Sequence, residues 1–287
     1  RPFYEGEEPD KTEAILTVSS ARNGTVLSEA IVDFTKKAHF QEQAHIEMAT
    51  AVAYHEMGHG ITSFPEVTGK KLVKITIIPE KIGDDLSAAG YAQYRDKARQ
   101  SLPGRDYLVK HLAGLLGGSE AEAIFVGEAN RSSGRSNDVE RVGKLAYRMV
   151  LQAHLDPELD AAHAYMKPDG SIIGNMPADL QKKFDDYVQK IIKEAREVAV
   201  KQIQENWHIV KAGADLLLKF GNITEKEFEA LVKAGQEAHL RLTKEEKVRW
   251  AKDWRGAEDL MAKLKIDIDA VHATVDCAKL MTAGTGR

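Results

Sequence analysis

The chain of 287 residues has a single cysteine, Cys277, so it can form no internal disulfide and hold no cysteine-based zinc site. One thiol also fits a reducing compartment. No apolar run approaches the roughly 18 residues that a membrane-spanning helix needs. The net charge of −4 lacks the basic excess that is typical of nucleic-acid binding proteins. Any metal ion must therefore be held by histidine and carboxylate side chains.

The remaining composition is ordinary, with 43% hydrophobic and 29% charged residues, and the length suffices for one or two domains with a buried core. We expect an intracellular protein, cytoplasmic or organellar, with no transmembrane segment in this chain and no nucleic acid among its partners. The chain begins at Arg1 rather than at methionine. We therefore expect a processed or excerpted start, and membrane association through a partner or a missing N-terminal anchor stays open.

The sequence of residues 55–59 is His-Glu-Met-Gly-His, the HExxH pattern. Apolar residues recur at three- and four-residue steps from Gln41 to Ile61, without proline, which predicts a helix. On a helix, His55 and His59 lie one turn apart on the same face, where both imidazoles can reach one metal ion. Glu56 then lies close enough to act as a general base on a metal-bound water.

Hydrophobic periodicity elsewhere predicts a mainly α-helical (α+β) fold, with a small antiparallel sheet beside the HExxH helix. Glycines inside the helix predicted for Asp106 to Val126 are costly there and indicate close helix packing. Thr224 and Glu227 have the spacing of a capping box. Strands are expected at Leu72 to Ile78 and Gly90 to Arg95, and further helices at Asp138 to Ala153, Ala178 to Asn206, His208 to Lys219, Thr224 to Gly235 and residues 238–262.

A catalytic zinc ion usually has three protein ligands, and the HExxH pattern supplies two of them. A histidine soon after the pattern is excluded, because residues 60–70 contain none. Two sources stay open: Glu120 or Glu122 on the next long helix, and Asp138 at the start of the helix after a Ser-Gly loop. The other histidines have no ligand spacing and are interpreted as surface or packing residues: His39, His45, His111, His154, His163, His208, His239 and His272.

Four segments, in the same order, resemble segments of FtsH-type zinc proteases. Tyr54 to His59 is similar to the family's Tyr-His-Glu-Ala-Gly-His, and Lys74 to Pro79 to its Lys-Val-Thr-Ile-Ile-Pro. Leu115 to Glu128 resembles Leu-Leu-Gly-Gly-Arg-Ala-Ala-Glu-Glu-Ile-Phe-Phe-Gly-Glu. Ser132 to Arg141 resembles Thr-Thr-Gly-Ala-Ser-Asn-Asp-Leu-Glu-Arg. Four ordered matches within about 100 residues make the resemblance specific.

The aspartate of the last segment is the third zinc ligand in that family. The resemblance therefore implies that Asp138 completes a Zn²⁺ site with His55 and His59, beside Glu56 as general base. It implies a zinc metalloendopeptidase that hydrolyses peptide bonds of unfolded or extended proteins. It also implies that a strand near residues 72–78 pairs with the substrate as an edge.

The same resemblance implies a division of the chain into three parts. Residues 1–40 form an N-terminal extension, residues 41–237 the FtsH-like metallopeptidase domain, and residues 238–287 a helical C-terminal extension. Two departures lie near the predicted site, Ala123 in place of a family glutamate and Arg135 in place of a small residue.

Proteases of the FtsH type carry an AAA+ ATPase module before the protease domain, and nothing in this chain matches Gly-x-x-x-x-Gly-Lys-Ser/Thr. The expected partners are a protein or peptide substrate, a separate AAA+ ATPase and, by resemblance, a homo-oligomer such as a hexamer. The alternative is a non-proteolytic assembly subunit or adaptor that keeps the zinc fold and works with a separate ATPase. The intact Glu56 argues against it, because a structural zinc site needs no base.

Overall fold

The computed structural model of the protein describes residues 46–81, 87–96, 104–132, 136–152, 159, 165, 174 and 176–273. Contacts divide the chain into residues 1–48, of which 46–48 are described and helical, and residues 49–287, which contain the features below. The predicted N-terminal extension and the final residues of the C-terminal extension lie outside the described residues.

Helices account for most of the described chain. The first described helix, α1, covers residues 46–61 and carries the HExxH pattern. It is followed by α2 (Pro65–Thr68), β1 (Lys70–Thr76), β2 (Glu80–Lys81), β3 (Ser87–Ala88), β4 (Tyr91–Asp96), α3 (Arg105–Val126) and a 3₁₀ turn (Glu128–Asn130). Then come α4 (Ser136–Gln152), α5 (Ala178–Glu205), α6 (Trp207–Phe220), β5 (Asn222–Thr224), α7 (Glu225–Leu240), α8 (Lys244–Asp253), α9 (Glu258–Lys263) and α10 (residues 268–273). None of the described helices is both long and apolar enough to span a bilayer.

The mainly α-helical fold with a small antiparallel sheet confirms the fold predicted from hydrophobic periodicity. The predicted capping box begins α7: the Thr224 hydroxyl accepts from the Glu227 N–H, and the Glu227 carboxylate accepts from the Thr224 N–H at 2.7 Å. A second capping box, formed by Thr243 and Glu246, begins α8. Both boxes satisfy backbone donors that the first helical turn leaves unpaired, which explains why the helices begin at these residues.

The strand β1 lies in the middle of the sheet, paired antiparallel with β4 on one side and β5 on the other. A bulge between Leu72 and Lys74 interrupts the alternation of side chains, so that Leu72 and Ile75 both face the core. Because residues 74–76 are paired on both sides, the expectation that residues 72–78 supply the substrate-binding edge is wrong for this stretch. The two outer strands of this three-stranded sheet, β4 and β5, each have a neighbour on one side only.

Two apolar clusters of buried side chains hold the helices together. The first joins α1 and the sheet to α6, α7 and the C-terminal helices, with Met57 and Trp250 among its largest members. The second lies between α3, α4 and α5 and includes Leu112 and Phe184. Since α3 contributes to both, with Ala121 in the first cluster and Leu112 in the second, it is buried on most of its faces.

The described part of the C-terminal extension packs into the first cluster. Trp250 is 1% exposed, and its indole N–H donates to the Glu205 carbonyl at the end of α5 at 3.1 Å. Arg255 lies over the Trp254 ring and donates to the Ile124 carbonyl in α3 at 3.1 Å. The extension therefore stabilises the end of α3, while the domain boundary at residue 238 stays a prediction.

Candidate metal centre

The HExxH helix α1 and the helix α3 approach each other so closely that no side chain fits between them. A Cβ added at Gly58 would lie 2.2 Å from the Gly117 carbonyl oxygen, and one added at Gly117 would lie 1.9 Å from Thr62 Oγ1. The two backbones therefore touch at a pair of glycines. This explains the glycines inside α3, which the sequence predicts to mark close helix packing.

Gly118 follows this contact in α3 and faces the two histidines of the HExxH pattern. A Cβ added there would lie 2.5 Å from Nε2 of both His55 and His59. The absence of a side chain at this position keeps open the space into which the two nitrogens point.

Three side-chain atoms converge in that space: His55 Nε2, His59 Nε2 and Asp138 Oδ2. The two nitrogens are 3.1 Å apart, and each lies 3.2 Å from the carboxylate oxygen. Donor atoms bound to one tetrahedral zinc ion at about 2.0–2.1 Å are separated by about 3.3 Å. The triangle thus has the size of one face of a zinc coordination shell, and its side chains are only 12–14% exposed.

The other ring nitrogen of each histidine determines which nitrogen is free to bind a metal. His59 Nδ1 lies 2.9 Å from the Gly114 carbonyl oxygen, which can only accept, so Nδ1 carries the hydrogen. His55 Nδ1 lies 3.2 Å from Glu122 Oε2, which favours the same tautomer. When both rings are neutral, the converging atoms are two nitrogen lone pairs and one carboxylate oxygen, with no donor among them. Such a set fits a bound cation.

The structure separates the candidates for the third ligand. Asp138 reaches the Nε2 side of both histidines, whereas Glu122 contacts His55 from the Nδ1 side. Glu122 also accepts from the Ser132 N–H and so connects α3 to the loop before α4. Glu120 is turned away from the histidines and pairs with Arg131 and Arg196, each at 3.0 Å. Glu120 and Glu122 therefore lie outside the converging set.

The charges around the cluster favour a cation. Burial by itself would lower the pKa of His55, but hydrogen bonds with Asp138 and Glu122 raise it to about 9. Burial would raise the pKa of Asp138, and its hydrogen bonds with His55 and His59 reverse that effect and lower the pKa. A buried site that stabilises positive charge in this way suits a divalent ion.

Glu56 lies between the converging set and the edge strand β4. It is 7% exposed, and its carboxylate accepts from the backbone N–H of Ala92 in β4. Burial raises the pKa of Glu56, while the neighbouring His59 and His55 oppose the rise. The Tyr94 hydroxyl donates to the His59 carbonyl at 2.8 Å and ties the same strand to α1.

These groups line a cleft of about 800 Å³. Helices α1 and α3 form its base, residues 89–92 of the edge-strand region form one wall, and the beginning of α4 forms the other. Lys70, His111 and Arg141 also line the cleft.

The sequence matches the model of peptidase family M41 over residues 44–231, which include α1, the sheet and the whole converging set. The chain belongs to peptidase family M41. Three of its relatives are named ATP-dependent zinc metalloprotease FtsH. The M41 chain is 29% identical to that of Mycoplasmopsis pulmonis over 230 residues, which are 78% of this chain and 30% of the relative. It is 30% identical to that of Mycoplasma mobile over 193 residues (65% and 27%) and 34% identical to that of Lactiplantibacillus plantarum over 194 residues (64% and 25%).

The M41 chain thus spans less than a third of the length of these relatives. The FtsH resemblance that the sequence motifs indicate is confirmed at the level of the family. The ATP dependence and the zinc in the relatives' names describe those proteins.

Sequence reasoning about this M41 chain missed the parts of the site that are made of backbone. The Gly114 carbonyl, the Ala92 N–H and the empty position at Gly118 have no side-chain signature, and the glycine run alone signals only a close approach. His111, interpreted as a surface or packing residue, instead lines the cleft. Arg135 and the histidines at 39, 45, 154 and 163 lie outside the described residues.

Proposed function

We propose that the chain is a zinc-dependent metalloendopeptidase that hydrolyses peptide bonds of unfolded or extended protein substrates. In this proposal His55, His59 and Asp138 hold the Zn²⁺, and Glu56 is the general base. One observation carries it: three acceptor atoms converge at 3.1–3.2 Å beside a buried carboxylate. Membership of peptidase family M41 and the names of the relatives support the same reaction.

His55, His59 and Asp138 would hold the Zn²⁺, which when bound would supply Lewis acidity to lower the pKa of the attacking water and to polarise the carbonyl of the scissile bond. Glu56 accepts one proton from the attacking water and returns it to the leaving amine, as the C–O bond forms and the C–N bond breaks. The hydrogen bond from the Ala92 N–H holds the Glu56 carboxylate in place. Burial raises the pKa of Glu56, which suits a group that must both accept and release a proton near neutral pH.

The edge strand β4 supports binding of an extended substrate. Its neighbour β1 occupies one side, and the region where β4 begins lines the cleft beside Glu56. Main-chain N–H and C=O groups on a strand edge can pair with any extended peptide, which gives affinity with little sequence specificity. We therefore propose unfolded or extended chains as the substrates.

The proposed partners follow from the names of the relatives, which are ATP-dependent. We propose a separate AAA+ ATPase that delivers unfolded chains to this cleft, and a homo-oligomer, such as a hexamer, as the assembly. Casein digestion with and without the ATPase tests the first of these, because a substrate that is already unfolded should need no ATPase.

The test is digestion of casein by the zinc-loaded protein, with and without ATP and an AAA+ partner. We expect Glu56→Gln to retain zinc and to lose activity by about a hundredfold or more, the range for removal of a general base. The matched control is Glu66→Gln, an exposed glutamate in α2, which should digest casein like the unmodified chain. Equal activity of the Glu56→Gln protein and the unmodified chain would contradict the mechanism. Bound zinc without digestion by either protein under any condition would favour the non-proteolytic adaptor.

A further inference from the structure

A cluster of basic side chains lies in the same cleft, outside the set of converging atoms. Lys70 at the start of β1, His111 in α3 and Arg141 in α4 all line the cleft. The Lys70 ammonium donates to His111 Nε2 at 3.0 Å. We call these three residues the basic cluster.

The basic cluster keeps its positive charge because His111 does not neutralise Lys70. A nitrogen that accepts from an ammonium carries no proton, and burial, followed by the nearby Lys70 and Arg141, lowers the pKa of His111 to about 4. Among the described residues, Lys70 has no carboxylate within ion-pair distance; burial lowers its pKa, and Asp96, further away, opposes that shift. The carboxylate nearest to Arg141 is Asp138, at 3.8 Å and already within the converging set.

The other acidic groups of the cleft lie at the metal end or in solvent. Glu56 and Glu122 lie beside the two histidines. Glu140 is 61% exposed and pairs with Lys144. The basic cluster therefore provides a positive region in a cleft whose carboxylates are otherwise concentrated around the proposed zinc.

The distance from the metal end can be counted along two elements. His111 precedes Gly118 by two turns of α3, which corresponds to about 10 Å at 1.5 Å per residue. Along the sheet, Ala92 contacts Glu56. At the other end of β4, Asp96 lies opposite Lys70 in the backbone register of the two strands. An extended peptide advances about 3.4 Å per residue, so one lying along β4 covers this distance with three or four residues.

We propose that the basic cluster is a substrate subsite that binds an aspartate or glutamate side chain three or four residues from the scissile bond. The proposal rests on the proposed peptidase function and adds a preference that main-chain pairing alone does not give. Lys70 supplies the main charge, His111 orients its ammonium, and Arg141 adds a second cation from α4.

The test uses internally quenched peptides that differ only in carrying Glu, Gln or Lys at one position, scanned from two to four residues on either side of a cleavage site verified by mass spectrometry. We expect the zinc-loaded chain to cleave the Glu peptide about tenfold faster than the Gln peptide at the third or fourth residue from the scissile bond, the effect of one charge-assisted hydrogen bond. Lys70→Gln should reduce this ratio to about one, and Lys70→Glu should reverse it in favour of the Lys peptide.

The matched control is Lys71→Gln, the next residue of β1, whose side chain instead pairs with Glu225 and Glu229 in α7. It should retain the preference for Glu. A preference that is absent in the unmodified chain, or equally reduced by Lys71→Gln, overturns the subsite.

A binding measurement distinguishes failure of the subsite from failure of the proposed peptidase function. Fluorescence anisotropy of the Glu and Gln peptides with the Glu56→Gln protein needs no turnover. Selective binding of the Glu peptide that Lys70→Gln abolishes, without cleavage by the unmodified chain, would overturn the peptidase function and retain the subsite. Cleavage with no difference between the peptides in either assay would overturn the subsite and retain the function.

Discussion

Buried histidines of this protein lie in two opposite electrostatic environments. In the cleft, His55 lies between the carboxylates of Asp138 and Glu122, and its pKa rises to about 9 although burial acts to lower it. In the core under α7, His208 is 4% exposed and donates from Nε2 to the Gly235 carbonyl at 3.1 Å, and burial lowers its pKa to about 4. Burial acts in the same direction on both rings, so the carboxylates make the difference. The metal end of the cleft is built to hold positive charge, and the core around His208 is built to exclude it.

Removal of the Asp138 carboxylate, which contacts both His55 and His59, should have the largest effect on the metal end of the cleft. We expect Asp138→Ala to reduce zinc affinity by more than about a hundredfold, beyond the range seen when an outer-shell partner is lost. Competition with a chromophoric chelator measures the affinity. Glu140→Ala, two residues further along α4 and exposed, is the matched control and should bind zinc normally. Normal zinc binding by Asp138→Ala together with loss in Glu122→Ala would instead identify Glu122 as the ligand.

Glu122→Ala should have a smaller effect on the same measurement. It removes the acceptor of the His55 Nδ1–H and the partner of the Ser132 N–H, while all three converging atoms remain. We expect zinc affinity to fall by about 10- to 100-fold, the usual effect of losing a partner that orients a metal-binding histidine. Unchanged affinity would mean that α1 alone orients the His55 ring.

Substitution of the core histidine, His208, should have the smallest effect, a change in the free energy of unfolding that appears only at acidic pH. The pKa of His208 is about 4 in the folded protein and 6.5 when unperturbed, so below pH 6.5 the unfolded chain binds a proton that the folded protein does not. Stability should therefore fall as the pH decreases from 6.5 toward 4. In His208→Gln, whose amide can still donate to Gly235, the free energy of unfolding should fall by about 1 kcal/mol less between pH 7.5 and pH 5.5 than in the unmodified chain. Urea unfolding at the two pH values measures this. An identical pH dependence in both proteins would show that His208 titrates normally when folded.

Most helices could be predicted from the sequence because their signals are local. A hydrophobic face repeats every three or four residues, and a capping box needs only Thr224 and Glu227. The position of β1 could not be predicted, because a strand segment does not indicate how many neighbours it has. Its second neighbour, β5, comes from residues 222–224, which helices α3 to α6 separate from β1 in the sequence.

The two histidines of the pattern illustrate what the sequence determines by itself. Four residues of helix bring His55 and His59 to one face and set Glu56 beside them, whatever the rest of the chain does. The same local rules explain the mainly helical fold. The order of the four segments that resemble the family indicates the family. The role of Asp138 as a metal ligand follows only from that resemblance.

Residue spacing alone leaves the third carboxylate open between Glu120, Glu122 and Asp138, and only the tertiary structure shows that Asp138, 79 residues after His59, lies against both histidines. The contacts of each Nδ1 with Glu122 and the Gly114 carbonyl turn the other ring nitrogens into the space that Gly118 leaves open, and the Ala92 N–H holds Glu56. These contacts join groups that are remote in sequence. Packing of the two apolar clusters brings them together, and a local sequence pattern carries no information about such distances.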